Sequence, residues 1–174
     1  MLFRSPAWSQ WPAPPEIAAR SYVVMDVTAG QVLAEQKADA AVEPGSLTKL
    51  MVAYVVFDAL RAQRLTLQQA LPISERAWKM PGSRMFIDPT MKVPVDDLLK
   101  GMIVQSANDA TVALAEGLAG SVERFVELLN QQARVLGLSA TTFKNPEGLA
   151  EPGHVTTARD LATLAQSVLR HFPD

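Results

Sequence analysis

GSLTKLMVAYVVFDAL, residues 45–60, sets a lysine directly ahead of an almost unbroken apolar run of helical length. Apolar residues on nearly every side predict that Leu47 to Ala62 forms a central helix covered by the rest of the domain. On a helix, positions i and i+3 share a face, so Ser46 and Lys49 become neighbours at the helix mouth. Burial favours the neutral amine at Lys49, and the positive end of the helix dipole acts in the same direction. A neutral lysine can accept a proton near pH 7, which an exposed ammonium cannot. The Ser46 hydroxyl is the obvious donor, since serine is a weak nucleophile until a base takes its proton. The Ser46 backbone N–H could serve a developing oxyanion. Ser-x-x-Lys alone is a weak pattern that an N-cap and a surface lysine would also satisfy. The apolar flank sets this instance apart.

Outward from that helix, Tyr22 to Val27 and Gln31 to Ala34 flank the turn residues TAG and predict a hairpin, which must pack on something to be stable. Residues 66–90 carry Pro81, Gly82, Asp88 and Pro89 and read as irregular. VPVDDLLKGMIVQ predicts a helix with Pro94 near its start and Asp96 and Asp97 in its first turn. NDATVALAEGLAG predicts a second, entered through Asn108 and closed by Gly120. SVERFVELLNQQARVLG predicts a third, capped by Ser121 and ended at Gly137. SATTFKNPEGLAEPGHV reads as a long loop. TTARDLATLAQSVLRHF reads as a last helix with Thr157 and Asp160 as a capping box. Residues 1–18, with WPAPP, read as an extended lead-in before residues 19–174.

Composition narrows the function classes. The 174 residues are 48% apolar and 20% charged, with net charge -2, which fits one ordinary globular domain. No basic surplus points to nucleic acid. Without cysteine there is no disulfide, no thiolate metal site and no thiol catalysis. MLF followed by Arg4 is too short for the apolar core of a secretory signal, and no window reaches the ~18 apolar residues of a membrane span. Met51, Met80, Met85, Met91 and Met102 read as packing residues. His154 reads as a structural or solvent-facing loop histidine, Arg84 as a brace for the irregular segment, and Asp109 as a first-turn acid complementing its helix dipole.

A second motif lies 60 residues beyond Ser46. Ser106, Ala107 and Asn108 fall between two apolar helices, where Ser106 could relay a proton beside Lys49 and the Asn108 amide could bind a substrate amide or carbonyl. Ser-x-x-Lys followed by Ser-x-Asn opens the motif set of the penicilloyl-serine transferases. With EPGSLTKLMVAYVVF, PGSRMF, LLKGMIVQSANDA and FKNPEGL…PGHVTTARDLATLA, the chain resembles the low-molecular-mass penicillin-binding proteins, the D-alanyl-D-alanine carboxypeptidases of the penicillin-binding protein 5 and 6 type, from about Pro14 to its last residue.

The resemblance implies an α+β chain with an incomplete β-lactamase/transpeptidase-like fold: an N-terminal β-hairpin and a helical subdomain, with the C-terminal sheet strands missing. It implies Ser46 as acylated nucleophile, Lys49 as its base, Ser106 as proton relay and Asn108 as substrate-binding residue. The reaction would remove the terminal D-alanine from a peptidoglycan pentapeptide through an acyl-serine, with β-lactam antibiotics as inhibitors and no metal or organic cofactor. The setting would be the periplasm or cell envelope of a Gram-negative bacterium. The family's third motif, Lys-Thr-Gly, has no match here, and neither has its membrane anchor. We therefore expect residues 19–174 to be the N-terminal portion of a serine D,D-peptidase domain, truncated before the Lys-Thr-Gly strand and weakly active alone. Ala107 stands where many relatives carry glycine, and its methyl group could crowd the turn. A class A-type β-lactamase, with Glu147 as deacylating acid, and a non-catalytic peptidoglycan- or partner-binding fragment are the alternatives.

Overall fold

The computed structural model describes residues 16–173; the lead-in expected over residues 1–18 lies mostly outside them. The hairpin pairs β1 (Tyr22–Asp26) with β2 (Gln31–Gln36) antiparallel, with a bulge between Val24 and Met25. Its turn is held by Asp26 Oδ1, which accepts from the backbone N–H groups of Thr28 and Ala29. A 3₁₀ turn, Gly45–Leu47, leads into α1 (Thr48–Arg61). Ser46 thus belongs to the tight turn before the helix rather than to the helix itself.

As the sequence predicts, α1 is buried on nearly all sides, with Met51, Val52 and Val56 fully enclosed. Truncating any one of them to alanine would cost about 2–5 kcal/mol in a core of this kind. The irregular segment contains more order than its turn residues suggest. β3 (Ala70–Pro72) pairs antiparallel with β4 (Lys92–Pro94), and the single-turn α2 (Glu75–Trp78) lies between them, capped by Ser74. Strands of three residues carry too little periodicity to be read from sequence.

From β4 the chain enters α3 (Val95–Gln105), α4 (Asn108–Ala119) and α5 (Val122–Val135), the three predicted helices. Gly117 in the last turn of α4 is explained by close approach: a β-carbon there would overlap the Leu71 side chain of β3. Ser121 caps α5, accepting from the Arg124 N–H. α6 (Ala158–His171) begins at Thr157, whose hydroxyl accepts from the Asp160 N–H at 3.1 Å. The capping box is only half formed. The Asp160 carboxylate accepts instead from the Ala140 N–H and the Thr141 hydroxyl, tying α6 to the preceding loop.

The hairpin finds its support on α6. Arg159 meets Asp39 and Glu35, while Gln166 and Arg170 both donate to the Val27 carbonyl. The result is a mixed α+β arrangement in which α1 runs through the middle, with its N-terminal mouth facing the α3–α4 junction and the loop after α5.

Candidate active site

The 3₁₀ turn puts Ser46 on the surface while Lys49, one helical turn on, is 7% exposed. Lys49 Nζ lies 3.5 Å from Ser46 Oγ. It also donates to Asn108 Oδ1 and to the Glu147 carbonyl, each at 2.8 Å. Two of the nitrogen's bonding directions go to these fixed acceptors and the third faces the Ser46 hydroxyl, the placement a base needs. The electrostatics agree. Burial holds the Lys49 amine below the usual lysine range, with the nearby Glu147 carboxylate pulling weakly the other way.

Asn108 is oriented by what surrounds it. Its Nδ2 donates to the Pro81 carbonyl at 2.8 Å, so its oxygen faces Lys49. In this arrangement both ends of the amide are engaged by the protein, and the residue holds the lysine.

Ser106 ends α3 in the left-handed region, at φ 57° and ψ 35°. Its Oγ is buried with no hydrogen-bond partner among the described residues. Ala107, whose methyl group could have crowded the turn, sits at φ -65° and ψ 118°, which any L-residue adopts. The unusual backbone belongs to the serine. Ser46, Lys49 and Ser106 share a cleft of about 330 Å³ whose other walls are apolar, including Leu50, Phe57 and Met102.

Asp109 does more than complement a dipole. Fully buried, its carboxylate accepts from the backbone N–H groups of Met85 and Phe86, at 3.0 and 2.9 Å, and more weakly from Ile87. Ser83 adds two bonds, its hydroxyl to the Gln105 carbonyl and its own carbonyl to the Asn108 N–H. Arg84 is not the brace; its guanidinium lies over the Phe86 ring at 5.0 Å. We expect Asp109→Ala to cost about 2 kcal/mol, since buried amide donors would lose a charged acceptor. A lower urea midpoint, with faster amide exchange confined to residues 83–87, is the signature to look for.

The loop after α5 supplies the site's least legible part. Asn145 Oδ1 accepts from the Gly148 and Leu149 N–H groups and so folds NPEGL into a tight turn. That turn delivers the Glu147 carbonyl to Lys49 and packs Gly148 against Gly45 and Ser46. His154 clamps the other end. Its Nδ1 accepts from the Lys144 N–H, which leaves the proton on Nε2, 2.9 Å from Thr48 Oγ1. Burial lowers its basicity, and it is the structural histidine the sequence suggests.

Comparison with known proteins gives the family and the fold. Residues 9–174 match the sequence family described as D-alanyl-D-alanine carboxypeptidase, peptidase S11. The D-alanyl-D-alanine carboxypeptidase DacC of Escherichia coli is 43% identical over 166 residues, covering 92% of this chain and 42% of that protein. Penicillin binding protein 5 from Haemophilus influenzae superposes with a TM-score of 0.90 at 41% identity, over 92% of this chain and 48% of that structure. Penicillin-Binding Protein D2 from Listeria monocytogenes, in its ampicillin-bound form, gives 0.80 at 31% identity, over 92% and 66%. The chain thus spans roughly two fifths of the length of the first of these relatives and carries part of the transpeptidase-like fold. With its serine–lysine pair at the mouth of α1 and a family match across residues 9–174, this chain belongs to the D-alanyl-D-alanine carboxypeptidases, of the penicillin-binding protein 5 and 6 type.

Proposed function

We propose that Ser46 is the nucleophile of a serine D-alanyl-D-alanine carboxypeptidase acting on peptidoglycan pentapeptides, and that β-lactams acylate the same oxygen. The observation that carries this is the coordination of Lys49: two fixed acceptors and one exposed hydroxyl, around an amine whose affinity for a proton burial lowers. The Ser46 O–H bond breaks toward the amine lone pair as Oγ bonds the carbonyl carbon. D-alanine leaves, and water then hydrolyses the acyl-serine. Ser106, with its buried and unpartnered hydroxyl, carries the proton onward to the leaving amine. Asn108 borders the peptide while fixing Lys49. The Ser46 N–H donates to the oxyanion.

Ser46, Lys49 and Ser106 line a cleft whose other walls are apolar. The 174-residue polypeptide, which spans 42% of the length of its Escherichia coli relative, turns over slowly by itself. The substrate places the enzyme in the bacterial cell envelope. Among the described residues no helix is long and apolar enough to cross a membrane.

The test is incubation with a fluorescent penicillin followed by a denaturing gel and intact-mass analysis. A weak, slowly accumulating adduct on Ser46 that vanishes in Ser46→Ala is expected. An adduct that survives Ser46→Ala would place the nucleophile elsewhere. Rapid stoichiometric labelling would show that the residues present suffice for acylation.

A further inference from the structure

The proposed reaction gives His154 no part, yet both of its ring nitrogens are spent at the mouth of α1. The residue is 2% exposed. Nδ1 accepts from the Lys144 N–H at 3.0 Å, and Nε2 donates to Thr48 Oγ1 at 2.9 Å. Thr48 is fully buried and stands between Ser46 and Lys49 in the chain. Its own N–H bonds the Gly45 and Ser46 carbonyls, so where Thr48 goes the 3₁₀ turn goes. The ring itself is fixed. Directly after it Val155 pairs with Thr142 and Thr156 with Val42. Its own N–H donates to the Glu151 carbonyl, and Phe143 packs edge-on with ring centroids 6.0 Å apart.

We propose that His154 positions the Ser46–Lys49 turn through Thr48, and that a proton on its second ring nitrogen releases that turn, so that acid disarms the site. This rests on the reading of Ser46 and Lys49 as the acylating pair. The clamp needs one nitrogen that accepts and one that donates; an imidazolium has two donors. A proton arriving on Nδ1 meets the Lys144 N–H, donor against donor, and either the ring or the loop of residues 144–154 must turn away. Either movement strains the bond to Thr48. The same loop carries the Glu147 carbonyl bonded to Lys49 and sets Gly148 against Gly45 and Ser46, so a single proton loosens both supports of the pair. The 3.5 Å between Lys49 Nζ and Ser46 Oγ leaves no slack for such a shift. His154 touches neither substrate nor the reacting oxygen; it is a positioning residue.

The groups around the ring set the direction of the effect. Burial holds its affinity for a proton below the ordinary histidine range, and the carboxylates of Glu151 in the same loop and Glu43 ahead of α1 pull the other way without overcoming it. Lys144 passes beside Gly153 in that loop, and its ammonium opposes a second cation there. The titratable neighbour on α1 is Lys49, turned toward Asn108 and Glu147. The folded chain thus holds this proton less firmly than the unfolded one. The clamp's contribution to stability is complete above the ordinary histidine midpoint, and it is lost as the pH falls from there to the lower midpoint of the folded state.

His154 and His171 are the two histidines of the sequence, so nitrogen-15 imidazole spectra of the 174-residue chain need one variant, His171→Gln, for assignment. Near neutral pH the His154 ring should show a bare Nδ1 and a protonated Nε2. On acidification its protonation should coincide with lost exchange protection at the Lys144 amide and with shifts of the Ser46 and Thr48 amide resonances. The rate of β-lactam acylation at Ser46, read by intact mass, should then fall more steeply than protonation of Lys49 alone allows. His154→Gln keeps an acceptor and a donor in one planar group that does not titrate; it should acylate within about threefold of wild type near neutral pH and lose the extra steepness. His154→Phe keeps the bulk but offers neither group, and should acylate about tenfold more slowly across the pH range. If His154→Phe folds poorly, His154→Gln and the ring spectra still decide. A proton on Nδ1 at neutral pH, ring titration that leaves the Lys144 and Ser46 amides unmoved, or acylation profiles of equal steepness in wild type and His154→Gln would each overturn the proposal. Amides that follow the ring while Ser46 takes no adduct uphold the clamp and overturn instead the nucleophile assignment.

Discussion

Lys49→Met should slow acylation of Ser46 by a β-lactam by about 10²–10⁴-fold, the usual contribution of a positioned general base. Methionine keeps the length and apolar body of the side chain but offers no lone pair basic enough to take the serine proton. The loss appears in the rate of adduct formation by intact mass, not in the amount of folded protein. Some destabilisation accompanies it, because Asn108 Oδ1 and the Glu147 carbonyl each lose a donor. Removal of a buried amine whose solvation was already forfeited offsets part of that cost. The wild-type pH profile gives a second check. Burial lowers the Lys49 affinity for protons, so the active neutral form persists to lower pH than an exposed lysine would allow. Below the folded-state midpoint the rate falls about tenfold per pH unit as the amine is protonated. In Lys49→Met that limb should be absent. A Lys49→Met rate within twofold of wild type would reduce the lysine to a structural pin for Asn108 and Glu147.

Much of the site was legible because its parts are local. Ser46 and Lys49 are three residues apart, and the apolar text after Lys49 already requires burial. Helices α3 and α4 announce themselves by periodicity and α5 and α6 also by caps, and Ser106 and Asn108 fall at the joint between the first two. What could not be read is held by contacts across long sequence separations. Asn108 was expected to meet substrate, and nothing in the order of residues says that its oxygen faces Lys49, 59 positions away. Asp109 was legible as a first-turn acid; that its carboxylate also holds residues 85–87 depends on how α4 packs beside that segment. Glu147 acts on Lys49 through a backbone carbonyl, a group every residue has, so side-chain identity carries no signal of it. The one local clue is Asn145 followed by Gly148, the chemistry of a turn whose glycine takes a positive φ.

Three segments far apart in sequence converge on the mouth of α1, and each fixes a different degree of freedom. The 3₁₀ turn exposes Ser46, and the α3–α4 junction with the loop tied to Asp109 fixes the Asn108 side of the lysine. The NPEGL turn fixes the other side and backs the nucleophile itself. A base 3.5 Å from its hydroxyl is at the long end of hydrogen-bond reach. Small displacements of any of the three segments therefore change whether the proton can be passed. Substitutions well away from Ser46 Oγ should act on rate through that spacing.

Gly148→Ala is the most severe of these. Gly148 has φ 85°, a conformation in which an L side chain costs about 1–2 kcal/mol. A β-carbon there would lie 2.0 Å from the Gly45 carbonyl oxygen, 2.4 Å from the Gly45 carbonyl carbon and 3.0 Å from the Ser46 nitrogen. All three are backbone atoms, so no rotamer change relieves the overlap. Either the NPEGL turn withdraws, breaking the bond from Lys49 to the Glu147 carbonyl, or the Gly45–Leu47 turn is pushed aside, moving Ser46. Overpacking of this kind adds about 1–3 kcal/mol to the backbone strain, for a total of about 2–5 kcal/mol. That is a large share of the 5–15 kcal/mol typical of a whole domain. A strongly lowered urea midpoint is expected, and residual folded protein should acylate Ser46 at least tenfold more slowly than wild type. Gly137→Ala supplies the control, since it shares the positive φ of 74° but its β-carbon meets nothing within 4 Å. It should lose only the strain of about 1–2 kcal/mol and acylate normally. Equal losses in the two variants would trace the effect to backbone strain alone and remove the NPEGL turn from the support of the nucleophile.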